Sequence, residues 1–302
     1  MTIGIGAVAE GGSWVVMGSD LRASWPKTAK VGPNDSAGKQ WDLPRPFDCA
    51  VCVAGVLSVA QLFVSELASQ LEKLGEMAVI YGEHVEHAIQ DSRFRTQRSR
   101  VDWELRKSYC ITLDQWLTGK IPGGKMHKLI VKAGEAVIDG TPLPLEVLLG
   151  GFVQGRLLFY KASGKYNLEL GSSPAVFVVG TGGQLAMDVL NRRGQHVDCS
   201  LPRTILHVAE ALEAAEKEPG GTVGKAKILT VIHEKDGMGQ FTLDNDLIQE
   251  WKRLYADRPS TQALQDNAIA RAQITQRFLL HVRRGETPRR RTKTPTSSEP
   301  QR

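Results

Sequence analysis

The chain has 302 residues, 41% hydrophobic and 24% charged, which is ample length and apolar content for a globular core and excludes a disordered or fibrous protein. The net charge of +5 suggests a polyanion partner, but residues 277–302 hold eight Lys/Arg and two acidic residues, leaving 30 basic against 31 acidic groups elsewhere; the basicity belongs to a tail. No run of eighteen apolar residues occurs, and no basic segment followed by a hydrophobic one opens the chain, so neither a membrane span nor a secretory signal is expected and the expected compartment is the cytoplasm.

Residues 1–9 and 14–24 carry two short apolar runs broken by the turn Glu10-Gly11-Gly12-Ser13, which predicts a β-hairpin whose second strand ends at Asp20. Removal of Met1, which the small Thr2 permits, leaves a hydroxyl and a free α-amine on adjacent carbons, a nucleophile and a base in one residue. An α-amine titrates near about 7.7 to 8.0, so on the order of a tenth or more of it is neutral at pH 7. Asp20 paired with a buried Lys39 would hold a cation that favours both the neutral amine and a developing alkoxide.

Residues 25–38, with two prolines, two glycines, Asn34, Asp35 and Ser36, read as an exposed loop in which Lys27 and Lys30 are solvated charges. Next comes an apolar strand containing Cys49-Ala50-Val51-Cys52. Residues three apart on a strand face opposite ways, so these cysteines are expected as core residues and not as a redox pair, and the four cysteines together fit a reducing compartment. Ala54-Gly55-Val56 then leads into a helical pattern with Leu57, Ala60, Val64, Leu67, Leu71 and Leu74. Strand, glycine, helix suits either a tight turn or an oxyanion hole, because glycine allows close approach and the first helical amides lack partners within the helix.

Residues 76–120 predict one long helix or two, with His84 and His87 at its surface or at an interface and no metal site, since no further ligands accompany them. After the connector Ile121–Lys125, strands are expected at 145–152, 155–160, 166–170 and 176–179. Gly180-Thr181-Gly182-Gly183 opens an amphipathic helix but lacks both the Lys-Ser/Thr of a P-loop and dinucleotide spacing, so phosphate binding is not expected. A helix over 202–217, a strand over 226–233, a turn at 236–240 and helices at 244–256 and 260–283 follow. From Gly285 onward apolar residues are absent, which predicts a disordered tail, solvated and not bound to nucleic acid.

Thr2, the strand end Gly6-Ala7-Val8-Ala9, Asp20-Leu21-Arg22-Ala23-Ser24 and Lys39 ahead of Trp41 and Leu43 together resemble the start of a 20S proteasome β-subunit, or of the related bacterial peptidases of the N-terminal nucleophile hydrolase superfamily. Leu149-Gly150-Gly151-Phe152 through Tyr160 is similar to that family's second sheet. The resemblance covers about residues 2–233. It implies a four-layer αββα sandwich (α+β class), here with extra C-terminal helices: a domain over 1–243, a helical extension over 244–284 and a basic tail over 285–302. It further implies a threonine peptidase acting on peptides or polypeptides, with Thr2, Asp20, Lys39, Gly55 as oxyanion donor and Thr181 in the place of a serine as catalytic residues, and with Arg22 and Gly182 in support. No cofactor or metal is implied, while a homo-oligomeric ring of six or seven subunits and feeding by an ATPase are. One family feature, an Asp ahead of Ser-Gly-Gly, falls here in Pro219-Gly220. Two alternatives therefore stand beside the peptidase: a small-substrate amidase on the same fold, and a catalytically inactive structural or scaffold subunit.

Overall fold

In the computed structural model of the chain the described residues are 3–20, 40–120, 131–132, 135, 145–163, 167–170, 175–217, 227–235 and 237–242. Thr2, Arg22, Lys39, the loop expected at 25–38, and the helices and tail expected beyond residue 243 lie outside them. The N-terminal hairpin forms from β1 (Ile3–Ala9) and β2 (Trp14–Asp20), in register from Gly4 with Ser19 to Ala9 with Trp14. Every residue of both strands is buried, so the sequence shows continuous apolar runs and not the alternation of a half-exposed strand.

The remaining strands are β3 (Gln40–Asp42), β4 (Phe47–Gly55), β5 (Leu145–Val153), β6 (Arg156–Ser163), β7 (Asn167–Leu170), β8 (Val176–Gly180), β9 (Lys227–His233) and β10 (Gly237–Thr242). They build two antiparallel five-stranded sheets, ordered β10-β9-β2-β1-β8 and β3-β4-β5-β6-β7. The turn predicted at 236–240 is shorter than that: from Gly237 the chain already pairs with β9, Gly237 opposite His233 and Thr242 opposite Ile228. Two glycines gave β10 a weak strand signal, and the pairing with β9 together with Met238 packed against the core overrides it.

Five helices occur among the described residues: α1 (Leu57–Leu74), α2 (Gly82–Tyr109), α3 (Leu113–Leu117), α4 (Gly183–Arg192) and α5 (Leu201–Glu216). The stretch expected as one helix or two is thus a 28-residue helix followed by a short one. His84 has a local duty, its Nδ1 accepting the Tyr81 N–H at the start of α2 (3.2 Å), and His87 is exposed.

Four apolar clusters hold these elements together among the described residues. One packs Leu113 of α3 against Val101 and Leu105 of α2, and the other three build the packing of the sheets. Ile3, Ile5, Val16 and Leu229 of the first sheet pack against Ala186 and Leu190 of α4 and Ile205, Val208 and Leu212 of α5. Phe47, Val51, Val147 and Leu149 of the second sheet pack against Phe63 and Leu67 of α1 and Val85 and Ile89 of α2. The last cluster lies between the sheets, with Val15, Met17, Cys52, Leu148, Phe159 and Phe177. Cys49 and Cys52 fall in different clusters, both fully buried and both free thiols. Burial, then the Asp48 charge, pushes the Cys49 thiol up, and burial followed by the Asp20 charge does the same to Cys52, so neither is a reactive thiolate.

Two positions test this packing. Gly151 sits at φ 149°, and a Cβ there would overlap the Asp48 carbonyl oxygen and lie 2.5 Å from Cys49 Cα, both backbone atoms of the neighbouring strand. Gly151→Ala should therefore lower stability by about 3 kcal/mol or more, read as a shift in the denaturant midpoint. His207 of α5 is buried, with its Nδ1 2.7 Å from Gln195 Oε1, while Gln195 Nε2 donates to Val8 O and Thr204 Oγ1. Burial, then the charges of Arg203, Arg193 and His196, lowers its pKa from 6.5 to about 4. Because the unfolded chain takes up this proton first, stability should fall as pH drops from about 6.5 towards about 4, by up to roughly 3 kcal/mol. Unfolding of wild type and His207→Gln at pH 7 and pH 5 should show that part of the pH dependence vanish in the variant.

Candidate active site

The two sheets end together where β1 begins. The Ile3 N–H donates to Asp20 Oδ1 at 3.0 Å, and Asp20 is fully buried at the end of β2. An ionised acceptor on a backbone donor makes a charge-assisted bond, and burial strengthens it by excluding competing water. On the other side of β2, Asp20 stands in register with Lys227, the first residue of β9. Lys227 is itself buried, and its Nζ donates to Glu216 Oε2 at the C-terminal end of α5 (2.7 Å).

From the opposite sheet, Ala54 pairs with Glu146 and Gly55 with Leu145. The Glu146 side chain crosses between the sheets, its Oε2 accepting the Gly180 N–H at 2.6 Å. Gly180 ends β8 and pairs with Ile3. One hydrogen bond thus ties β5 to the strand edge against which β1 starts.

Gly55 is exposed and takes φ 147°, a conformation that favours glycine, one residue before the N-cap of α1. Thr181 is exposed in the turn after Gly180, and Gly182 is the N-cap of α4. A Cβ on Gly182 would lie 2.7 Å from Ala215 Cβ, so glycine lets α4 begin against α5. The N-termini of α1 and α4 both open at this end, and their amides without intrahelical partners give it a positive dipole contribution.

Of the residues named from sequence, Asp20, Gly55, Thr181 and Gly182 are therefore at one end of the paired sheets, while Thr2, Lys39 and Arg22 fall outside the described residues. Thr2 directly precedes Ile3 in the chain and Lys39 directly precedes β3. Three further groups were missed. Glu146 could have been noticed as the lone acid in the apolar run Leu145–Phe152, and Lys227 as the charge opening the run Lys227–His233. Gln40, whose Nε2 donates to Thr230 Oγ1 in the buried layer between the sheets, gave no local signal because its partner is 190 residues away. Among the described residues no cluster of three or more His, Cys, Asp or Glu is arranged to hold a metal ion, and no helix is long and apolar enough to cross a membrane.

The arrangement of two antiparallel sheets with these helices is one that solved structures share at low sequence identity. Solved structures that share this fold include two of Anbu from Hyphomicrobium sp. strain MC1. The Gly-1 mutant of Anbu matches at TM-score 0.58 and 13% identity, over 90% of this chain and 100% of that one. A second Anbu structure matches at TM-score 0.55 and 12% identity, over 90% and 97%. No family model and no curated protein matches the chain.

The Lys227–Glu216 pair yields a stability test. Glu216→Gln leaves a buried ammonium without its counter-charge and should cost about 1–3 kcal/mol. Adding Lys227→Met should recover part of that loss, so a double-mutant cycle by chemical denaturation reads the coupling directly.

Proposed function

We propose that this chain is a threonine-type N-terminal nucleophile hydrolase that cleaves peptide amide bonds within a proteasome-like homo-oligomer, on a four-layer αββα sandwich. The observation that carries the reading is the bond from the Ile3 N–H to the buried Asp20 carboxylate. It fixes the backbone one residue after Thr2 at the end of the sheets where a glycine turn and two helix N-termini also lie. After loss of Met1, the Thr2 hydroxyl attacks the amide carbonyl while its own α-amine takes the proton, and that proton passes to the leaving amine. The Gly55 N–H stabilises the oxyanion, and water then releases the acyl group from Thr2.

Asp20 holds the cation of Lys39 against the nucleophile, with Arg22, Thr181 and Gly182 supporting the turn. This chemistry calls on no metal or organic cofactor. A homo-oligomeric ring, an ATPase that feeds it and a cytoplasmic setting complete the proposal. The likeness of fold to Anbu supports it at the level of architecture.

Intact-mass measurement of the purified protein tests the first step: Met1 should be absent, and a peptide epoxyketone or β-lactone should add one equivalent at Thr2. Thr2→Ala should lose labelling and at least about a thousandfold of peptide-amide turnover while assembly is retained. Retention of Met1 with no labelling identifies the scaffold subunit instead, and turnover that survives Thr2→Ala overturns the mechanism. Turnover confined to small amides would select the amidase.

A further inference from the structure

We infer that Glu146 is a positioning residue of this site, a carboxylate that fixes the Gly180–Thr181 turn and supplies negative charge near the start of β1, where the proposed hydrolase would carry its α-amine. The inference rests on the proposed hydrolase reading. Glu146 lies on the same face of β5 as Leu148, which belongs to the cluster between the sheets, so strand alternation turns its side chain inward across the gap. Its Oε2 is 2.6 Å from Gly180 N, and Gly180 pairs with Ile3. Paired residues of an antiparallel ladder have Cα atoms about 4.5–5.5 Å apart, which brings the carboxylate within roughly one residue's width of the start of β1.

Only one carboxylate oxygen is engaged with Gly180, and a carboxylate accepts through two. Glu146 is part-buried and stands in register with Ala54, next to Gly55. Its side chain thus bonds to the residue before Thr181, its backbone pairs beside the strand end that carries Gly55, and its partner Gly180 in turn pairs with Ile3. Among the described residues, the charged groups around that opening are Asp20 from β2, Lys227 from β9 with Glu216 from α5, and Glu146 from β5. Asp20 accepts the Ile3 N–H through Oδ1, and Glu216 accepts from Lys227. Glu146 is the acid that reaches the opening from the second sheet, and it stabilises an ammonium there while aligning it.

Glu146→Gln separates alignment by charge from mere support, because the amide oxygen still accepts the Gly180 N–H while the charge is gone. The experiment is trace acetylation of the α-amine across pH in the full-length protein, read on the N-terminal peptide by mass spectrometry, together with the pH profile of peptide-amide turnover. In Glu146→Gln the α-amine pKa should fall by about half a unit or more, with the acid limb of kcat/KM moving down with it. Its kcat should drop about tenfold while KM stays within about twofold. Glu146→Asp, which keeps the charge, should return the amine titration towards wild type.

An amine titration and a kcat unchanged in a folded Glu146→Gln protein would overturn the inference while leaving the hydrolase reading intact. If instead wild type retains Met1 or fails to label at Thr2, the reading falls and the inference with it. Should Glu146→Gln fail to fold, the carboxyl resonance of Glu146 in wild type labelled with 13C-glutamate decides. An inflection at the pH where the α-amine titrates supports the coupling, and its absence refutes it.

Discussion

A strand buried from its first residue has to satisfy its leading N–H within the protein. In β1 this is done by the Asp20 carboxylate at 3.0 Å, and the rest of the end wall follows from it. Asp20 must be buried to exclude water from the bond, which brings its charge beside the Cys52 thiol. A buried Lys227 then sits in register with Asp20. Glu216 balances Lys227 in turn, which ties the last turn of α5 to the end of the sheet. A backbone requirement at Ile3 has become a constraint on two strands and a helix.

The same end is where two sheets with separate outer cores come together. Between them the packing is close: a Cβ on Gly6 would lie 2.7 Å from Phe159 Cε2, and one on Gly150 would lie 2.7 Å from Met17 Sδ. Such contacts fix the spacing of the sheets but carry no direction along the strands. Direction comes from the polar bridges, Glu146 to Gly180 and Gln40 to Thr230. Each lies where exchange with another partner would leave a part-buried or buried polar atom unsatisfied, a cost that apolar sliding would not incur.

Much of this could be read from residue order alone, and the reasons are local. The hairpin announced itself through Gly11-Gly12 between two apolar runs, and the helix after Gly55 through Leu57, Ala60, Val64, Leu67 and Leu71 at helical spacing. The opposite facing of Cys49 and Cys52 needed only the two-residue period of a strand. What escaped was set by contacts distant in sequence. Glu146 and Gly180 are separated by 34 residues and Gln40 and Thr230 by 190, so no pattern in either segment names the other. β10 escaped for a related reason: Gly237-Met238-Gly239-Gln240 has turn chemistry by itself and becomes a strand because β9 offers it an edge. Asp20 was expected beside Thr2 and Lys39, which lie outside the described residues; what is seen is its bond from the Ile3 N–H.

Asp20, which accepts the Ile3 N–H, lies 17 residues along the chain from Ile3, but the strand partner of Ile3 on the other side, Gly180, comes 160 residues after Asp20, and Lys227 later still. Contacts this remote in sequence close slowly and cannot close on a growing chain until most of it has left the ribosome. Glu146 and the turn at Gly180 likewise meet only after both have been synthesised. A polypeptide made only as far as β2 therefore carries the hairpin without the walls around it, and the opening takes shape only once β8 and β9 have been made.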